Sequence, residues 1–266
     1  MSVVLLNDSM VHYEVLGRGR PVIFLHGWVG SWRYWISSMQ VASTSFRAYA
    51  LDLWGFGGTA HQGHQTGKYI VRNQTALLDA FLNEMGIGKI ALVGHGLGAL
   101  VALDFAAKNN RLVDRVMLTN CPLDIDAVEP RLFSESLPSL ISSFTTSLPA
   151  GGDAALGEAA NADPAAITTS LMGVKPAELF NAVNRQHTPC LLVSSSRDEL
   201  VKQPQINQLT ALSDLGHHIH LDDSGHFPML DSVGKFNRLL TDFLALDSGL
   251  SIKELGLKEE WKRRVR

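Results

Sequence analysis

Cysteine is nearly absent from this chain: Cys121 and Cys190 are the only two in 266 residues. Two thiols cannot build a disulfide framework, and so low a count fits a reducing compartment. Charge is also sparse. Asp, Glu, Lys and Arg together make up 18% of the residues and the formal net charge is −3, which offers no basic surface for nucleic acid. No uninterrupted apolar run reaches the length of a membrane span. The opening MSVVLLNDSM lacks a basic segment and has only a short apolar run, so no secretory leader is expected. Repeats and long low-complexity tracts are missing too. These absences suggest a cytoplasmic protein that meets neither nucleic acid nor membrane and works on a small molecule.

What the chain does have is length and apolar content. Hydrophobic residues at 45% of 266 positions can bury a sizeable core without disulfides or structural metal. Strands are expected near Val3–Leu6, Met10–Val15 and Pro21–Leu25, with Gly17 and Gly19 turning the chain between the last two. Further strands are expected at Arg47–Leu51, Ile90–Val93, Arg115–Leu118, Cys190–Ser194 and His218–Leu221. Helical patterns cover Trp32–Val41, Tyr69–Met85, Leu97–Ala107, Gln205–Leu212 and Val233–Leu244. Strands alternating with helices make a mostly parallel sheet with helices on both faces. Residues 122–187 break the alternation. They are rich in Ser, Ala, Pro and Gly, carry no convincing strand, and suggest helices near Ala165–Met172 and Ala177–Asn184. The expected organisation is a core of 1–121 and 188–266 with an inserted cap of 122–187. The amphipathic C-terminal stretch SIKELGLKEEWKRRVR is expected to form an extra surface helix.

One junction carries the chemistry. Residues 93–99 read V-G-H-G-L-G-A, where a buried strand runs into a helix. Gly94, Gly96 and Ala99 fit a dinucleotide-binding glycine turn, G-x-G-x-x-A. That motif is weak alone, and the next strand ends in Leu118-Thr119-Asn120, with no carboxylate for a ribose. The other fold with glycines here is a nucleophile elbow. Acyl transfer then needs an oxyanion hole, a base and an acid orienting the base, with acid and base following the elbow in that order after later strands. The chain has candidates for each. Asp198 follows the strand CLLVSSS, His226 follows HHIHL, and the strand VIFL runs into His26-Gly27-Trp28.

With these pieces the chain resembles the α/β-hydrolase superfamily over nearly its whole length, through HGWVGSWRYW, DLWGFGG, VGHGLGAL, SSSRDELV and SGHFPML. The resemblance implies an eight-stranded, mostly parallel sheet with a small helical cap, and no cofactor. It implies the nucleophile position at Gly96, the acid at Asp198, the base at His226, and an oxyanion hole made by the N–H groups of Trp28 and Leu97. The typical elbow of the superfamily has Ser where this chain has Gly96. A dehalogenase-type route would need a carboxylate there, which glycine also excludes. His26, Gly27, His95 and Cys121 are expected to line the substrate pocket. The cap residues Leu132, Phe133, Leu137, Leu140, Ile141, Phe144, Leu171 and Met172 either give that pocket an apolar lining or only pack the cap onto the core.

Plainer roles exist for the same residues. Asp198 alone could be a surface carboxylate and His226 alone a helix-entry residue; their positions after successive strands favour the paired role. Trp28, Trp32, Tyr34 and Trp35 either pack the following helix or wall the pocket. His61, His64, His217, His218 and His220 are read as surface or loop residues whose spacings bring too few ligands together for a metal. Three functions stay open. The Asp198–His226 dyad could activate a water on an ester, thioester or similar small apolar substrate. The site could bind a small apolar ligand or a partner without turnover. Or Cys121 could supply the nucleophile.

Overall fold

The computed structural model of the chain describes residues 2–59, 66–186, 188–210, 212–246 and 252–255. Eight strands form a single sheet: β1 (Ser2–Leu6), β2 (Ser9–Gly17), β3 (Arg20–Leu25), β4 (Phe46–Leu51), β5 (Ile90–His95), β6 (Val113–Thr119), β7 (Cys190–Ser195) and β8 (Gly216–Leu221). Their order is β1-β2-β4-β3-β5-β6-β7-β8. The β1–β2 and β2–β4 pairings are antiparallel and all the others are parallel. This is the α/β-hydrolase fold that the motifs imply.

Eleven α-helices are described: α1 (Ile36–Ala42), α2 (Val71–Glu84), α3 (Leu97–Lys108), α4 (Arg131–Ser134), α5 (Leu137–Ser147), α6 (Gly152–Leu156), α7 (Pro164–Thr169), α8 (Pro176–Arg185), α9 (Ile206–Thr210), α10 (Pro228–Asp231) and α11 (Val233–Ala245). α1 packs on α11, and α3 packs on α2 and α8, so the helices form two separate groups on the sheet. None is long and apolar enough to cross a membrane.

The central strands are apolar runs because both of their faces are covered. Every residue of β5 and β7 is buried, as is every residue of α3 from Leu97 to Ala106. α3 approaches the sheet closely enough to need glycine: a Cβ on Gly98 would lie 2.2 Å from the carbonyl oxygen of Leu25. That explains one glycine of the V-G-H-G-L-G-A run by helix–strand packing, with no phosphate involved.

Some elements differ from expectation. The segment expected as one helix over Trp32–Val41 starts as a 3-10 turn, Trp32–Trp35, before α1. Residues 122–186 hold five helices, α4 to α8, and no strand of the sheet; the sequence signalled only the last two. Helices α4 to α6 are short or rich in Ser and Thr, which weakens their periodicity. This segment is tied to the loops after β3 and β4. Trp28 Nε1 donates to Ser170 Oγ at 2.9 Å, Ser31 Oγ to Glu158 at 3.0 Å, and the Asp163 N–H to the Gly55 carbonyl at 2.8 Å. Of the cap residues expected to face inward, Phe133 is 40% and Met172 64% exposed, so those two point to solvent. Leu132, Leu140 and Phe144 are buried, while Leu137, Ile141 and Leu171 pack half-buried on the core.

His217, His218 and His220 are not on a loop: all three lie on β8, an edge strand of the sheet, and are partly buried there. His61 and His64 lie outside the described residues, as does most of the C-terminal stretch. Its described part is a 3-10 turn, Ile252–Glu254, followed by Leu255; Ile252 and Leu255 are buried, and the Leu255 carbonyl accepts from His217 Nε2 at 2.8 Å.

Candidate active site

The parallel register brings the C-terminal ends of the central strands to one edge. Leu25 pairs with Gly94, His95 with Thr119, Thr119 with Val193, and Ser195 with Leu221. The loops leaving these ends therefore meet, and they carry His26-Gly27-Trp28, Gly96, Asn120, Asp198 and His226.

Gly96 is the cap residue between β5 and α3, with φ 52° and ψ −112°. An L side chain is strained at such a φ, on the order of 1–3 kcal/mol, whereas glycine takes it freely. The turn is held by the Gly96 N–H on the Thr119 carbonyl, at 3.0 Å. Beside it lies Trp28, fully buried. A Cβ placed on Gly96 would be 3.0 Å from Trp28 Cζ3 and 3.1 Å from Cε3.

Asp198 and His226 come together as the sequence order implies. His226 Nδ1 is 2.9 Å from Asp198 Oδ1, and both side chains are almost fully buried. The same Asp198 oxygen accepts the N–H groups of Leu200 and Val201 at 2.8 and 3.0 Å. The two loops are zipped by the Arg197 N–H on the Ser224 carbonyl, 2.9 Å, and the base loop is closed by Asp231 Oδ2, which accepts the Gly225 N–H at 2.7 Å. Asp198 is acceptor-only when ionised, so the proton of this bond is on His226 Nδ1 and Nε2 is left with a bare lone pair. That Nε2 is buried and has no hydrogen-bond partner among the described residues. Phe144 of α5 stacks over the ring, centroids 5.6 Å apart at 28°.

The N–H groups of Trp28 and Leu97 have no partner among the described residues. Leu97 begins α3, whose first N–H groups form the positive end of the helix dipole.

Three residues expected in the pocket do different work. His26 is fully buried with both ring nitrogens engaged: Nδ1 donates to the Gly27 carbonyl at 2.8 Å and Nε2 accepts the Leu53 N–H at 3.0 Å. Burial pushes its pKa down, so it stays a neutral clamp. His95 likewise has no free nitrogen. Nε2 is 2.7 Å from the His226 carbonyl and Nδ1 2.9 Å from the Tyr34 hydroxyl. Burial, then the neighbouring His226, hold it well below the usual histidine range. Cys121 is buried, its Sγ only 3.8 Å from the carbonyl of Pro122, and burial pushes its thiol up, well away from thiolate formation. It packs as a core thiol, and its burial disfavours the thiolate that a nucleophile needs. Gly27 does lie beside the turn, its Cα 3.6 Å from the Cβ position of residue 96.

Two contributors, Ser170 and Asn120, went unassigned in the sequence, and two others, Phe144 and Tyr34, were each left with two roles open. Ser170 anchors the Trp28 indole, and Phe144 stacks on the base. Asn120, after β6, donates from Nδ2 to the His226 carbonyl at 3.0 Å. Its φ of 45° is a conformation asparagine tolerates better than most residues, but no spacing advertises it. Tyr34, open between packing and wall, hydrogen-bonds at the centre of the site.

Comparison with known proteins bears on the family and the fold. Residues 22–239 match the model of the "Alpha/beta hydrolase family". The soluble epoxide hydrolase of Corynebacterium sp. (strain C12) is 31% identical over 114 residues, 43% of this chain and 39% of that one. The pimeloyl acyl-carrier-protein methyl ester esterase of Vibrio atlanticus is 30% identical over 145 residues, 54% of this chain and 52% of that one. The aligned stretches thus span about half or less of these curated relatives. Among solved structures, the enol-lactonase of Burkholderia xenovorans LB400 superposes with a TM-score of 0.76 at 17% identity, covering 92% of this chain and all of that one, which is a likeness of fold.

Proposed function

Since this chain belongs to the alpha/beta hydrolase family, we propose that it carries out hydrolase-type chemistry through the Asp198–His226 dyad and a water, with no covalent intermediate on the chain. Gly96 stands where the family has its nucleophile and has no side chain to attack with. The observation that supports this reading is the lone pair of His226 Nε2. It is buried and unpaired, while Nδ1 is held by Asp198. Leaving such an acceptor unpaired costs about 1–3 kcal/mol, a cost expected where a ligand or water completes the bond.

The steps follow from the groups present. His226 Nε2 takes a proton from water as the water oxygen attacks the carbonyl carbon of the substrate. The negative charge developing on the carbonyl oxygen is met by the N–H groups of Trp28 and Leu97. Asp198 stabilises the imidazolium and keeps its tautomer. Collapse expels the leaving oxygen or sulfur, which takes the proton back from His226. Phe144, Trp28 and Leu97 suit a small ester or thioester with an apolar acyl group, and residues 122–187 serve as the lid.

A second reading, binding without turnover, has one observation in its favour: the Trp28 ring lies where a residue-96 side chain would turn. Initial rates on p-nitrophenyl acetate and butyrate separate the two. The chemical reading expects slow turnover with no burst, and at least about a 100-fold loss of kcat/KM in His226→Ala. Unchanged rates in His226→Ala sink it. The binding reading expects no turnover, and a melting point raised by a ligand that is recovered intact.

A further inference from the structure

Two hydrogen-bond chains surround the dyad, and their proton positions are forced. The His226 carbonyl can only accept, so His95 Nε2, 2.7 Å away, carries a proton and Nδ1 does not. The Tyr34 hydroxyl, 2.9 Å from that Nδ1, must then donate to it. The Gly27 N–H in turn donates to the Tyr34 oxygen. An unbroken run thus leads from the Gly27 N–H through Tyr34 and His95 to the backbone of the base. All four residues are buried. Asn120 fills the second lone pair of the same His226 carbonyl.

The other chain holds the next peptide. His26 Nδ1 donates to the Gly27 carbonyl, and the peptide that bears this carbonyl also bears the Trp28 N–H. A trans peptide is planar, so fixing its oxygen fixes the opposite N–H.

The glycines of HGWVG are where these rings enter. A Cβ on Gly27 would sit 2.9 Å from His95 Nδ1, and one on Gly30 would sit 2.5 Å from the Tyr34 ring. The motif is therefore shaped to admit Tyr34 and His95.

We propose that Tyr34 and His95 are positioning residues that lock the base His226 and the Gly27–Trp28 peptide into one geometry. Neither touches a substrate; each acts through a backbone group. The inference rests on the dyad reading for its consequence in catalysis, but the lock itself can be observed without turnover.

The test uses the full chain with ¹⁵N-labelled histidine, following the His226 and His95 ring resonances from pH 5 to 9 by NMR, beside ester kinetics and thermal melting. Tyr34→Phe removes the hydroxyl. His95→Asn keeps an acceptor for Tyr34 but falls short of His226, whereas His95→Gln keeps a donor that reaches the His226 carbonyl. The expected result is that Tyr34→Phe and His95→Asn displace the His226 resonances and their pH response. They should also lower kcat about 10-fold or more with KM within about 2-fold, and His95→Gln should restore most of both. If Tyr34→Phe and His95→Asn lower the melting point but leave the His226 resonances in place, the two residues are only structural and the proposal is overturned. If the resonances move but no variant, nor the native chain, turns over an ester, the lock stands and the dyad chemistry falls. Should Tyr34→Phe fail to fold, the contrast between His95→Asn and His95→Gln decides alone.

Discussion

The Cζ3–Cε3 edge of the Trp28 indole abuts Gly96, close enough that a Cβ on residue 96 would sit 3.0 Å from Cζ3. At the far side of the ring Nε1 donates to Ser170, so the indole is held from both ends. Glycine at 96 and tryptophan at 28 are one arrangement, and changing one without the other is expected to fail.

The first prediction follows from that pairing. Gly96→Ser meets the strain of φ 52°, on the order of 1–3 kcal/mol, and crowds the indole as well. It should lower the denaturation midpoint and give little or no ester hydrolysis. Gly96→Ser with Trp28→Leu opens the space and should show a burst of product with an acyl intermediate, at least about 10-fold faster than Gly96→Ser alone. Equal activity in the single and double variants would show that Trp28 does not restrict residue 96.

A second prediction concerns the anchor of the indole. Ser170→Ala leaves the buried Trp28 Nε1 without an acceptor, which costs about 1–3 kcal/mol. Urea titration should show a lower midpoint with an unchanged slope, because the surface exposed on unfolding is the same. An unchanged midpoint would mean the indole finds water or another acceptor.

Third, the two thiols should be inert. Cys121 and Cys190 are buried, and burial pushes Cys190 up to about 12. With so little thiolate near neutral pH, a disulfide reagent should label neither in the native chain and both in guanidinium. Native labelling of Cys121 would reopen it as a nucleophile. Cys121→Ser is expected to leave any esterase rate within about 2-fold, since its sulfur faces the Pro122 carbonyl.

How much of this was written in the sequence depends on the distance over which each signal acts. The buried parallel strands were legible because a strand covered on both faces is a short apolar run, as in Ile90–Val93 and Cys190–Ser194. Asp198 and His226 were legible because the fold delivers them in chain order at strand ends. Tyr34, Asn120 and Ser170 were not. Their roles arise from contacts across 61, 106 and 142 positions, and no local pattern encodes them. His26 and His95 stood beside the right glycines but were assigned to the pocket, because a sequence shows proximity to a turn and not which ring nitrogens are already spent. The histidines of β8 were misplaced for a different reason. His217, His218 and His220 put polar rings on a strand, where polar residues usually mark a solvent face, and here they are half-buried.

That strand supplies the last prediction. His218 Nε2 is 2.8 Å and His220 Nδ1 3.0 Å from the Ser194 hydroxyl, a residue of the neighbouring strand β7. Burial, then the charges of His220 and His217, push His218 down from 6.5 to about 4. The unfolded chain therefore binds a proton at this residue near pH 6.5, while the folded chain binds it only near pH 4. Between those values the unfolded state holds more protons, so stability rises with pH. The contribution is complete above about pH 6.5 and is lost as the pH falls toward 4. Each unit of displacement is worth about 1.4 kcal/mol, and with partial exposure the whole effect should reach about 1–3 kcal/mol. Melting curves of the native chain and of His218→Gln, taken at pH 7.5, 6, 5 and 4.5, measure it. The native chain should lose stability faster than the variant as the pH drops below 6.5, with the two curves parallel above it. Parallel curves throughout the range would mean that His218 gains its proton as easily in the folded chain as in the unfolded one, and that the β7–β8 contact opens to admit water.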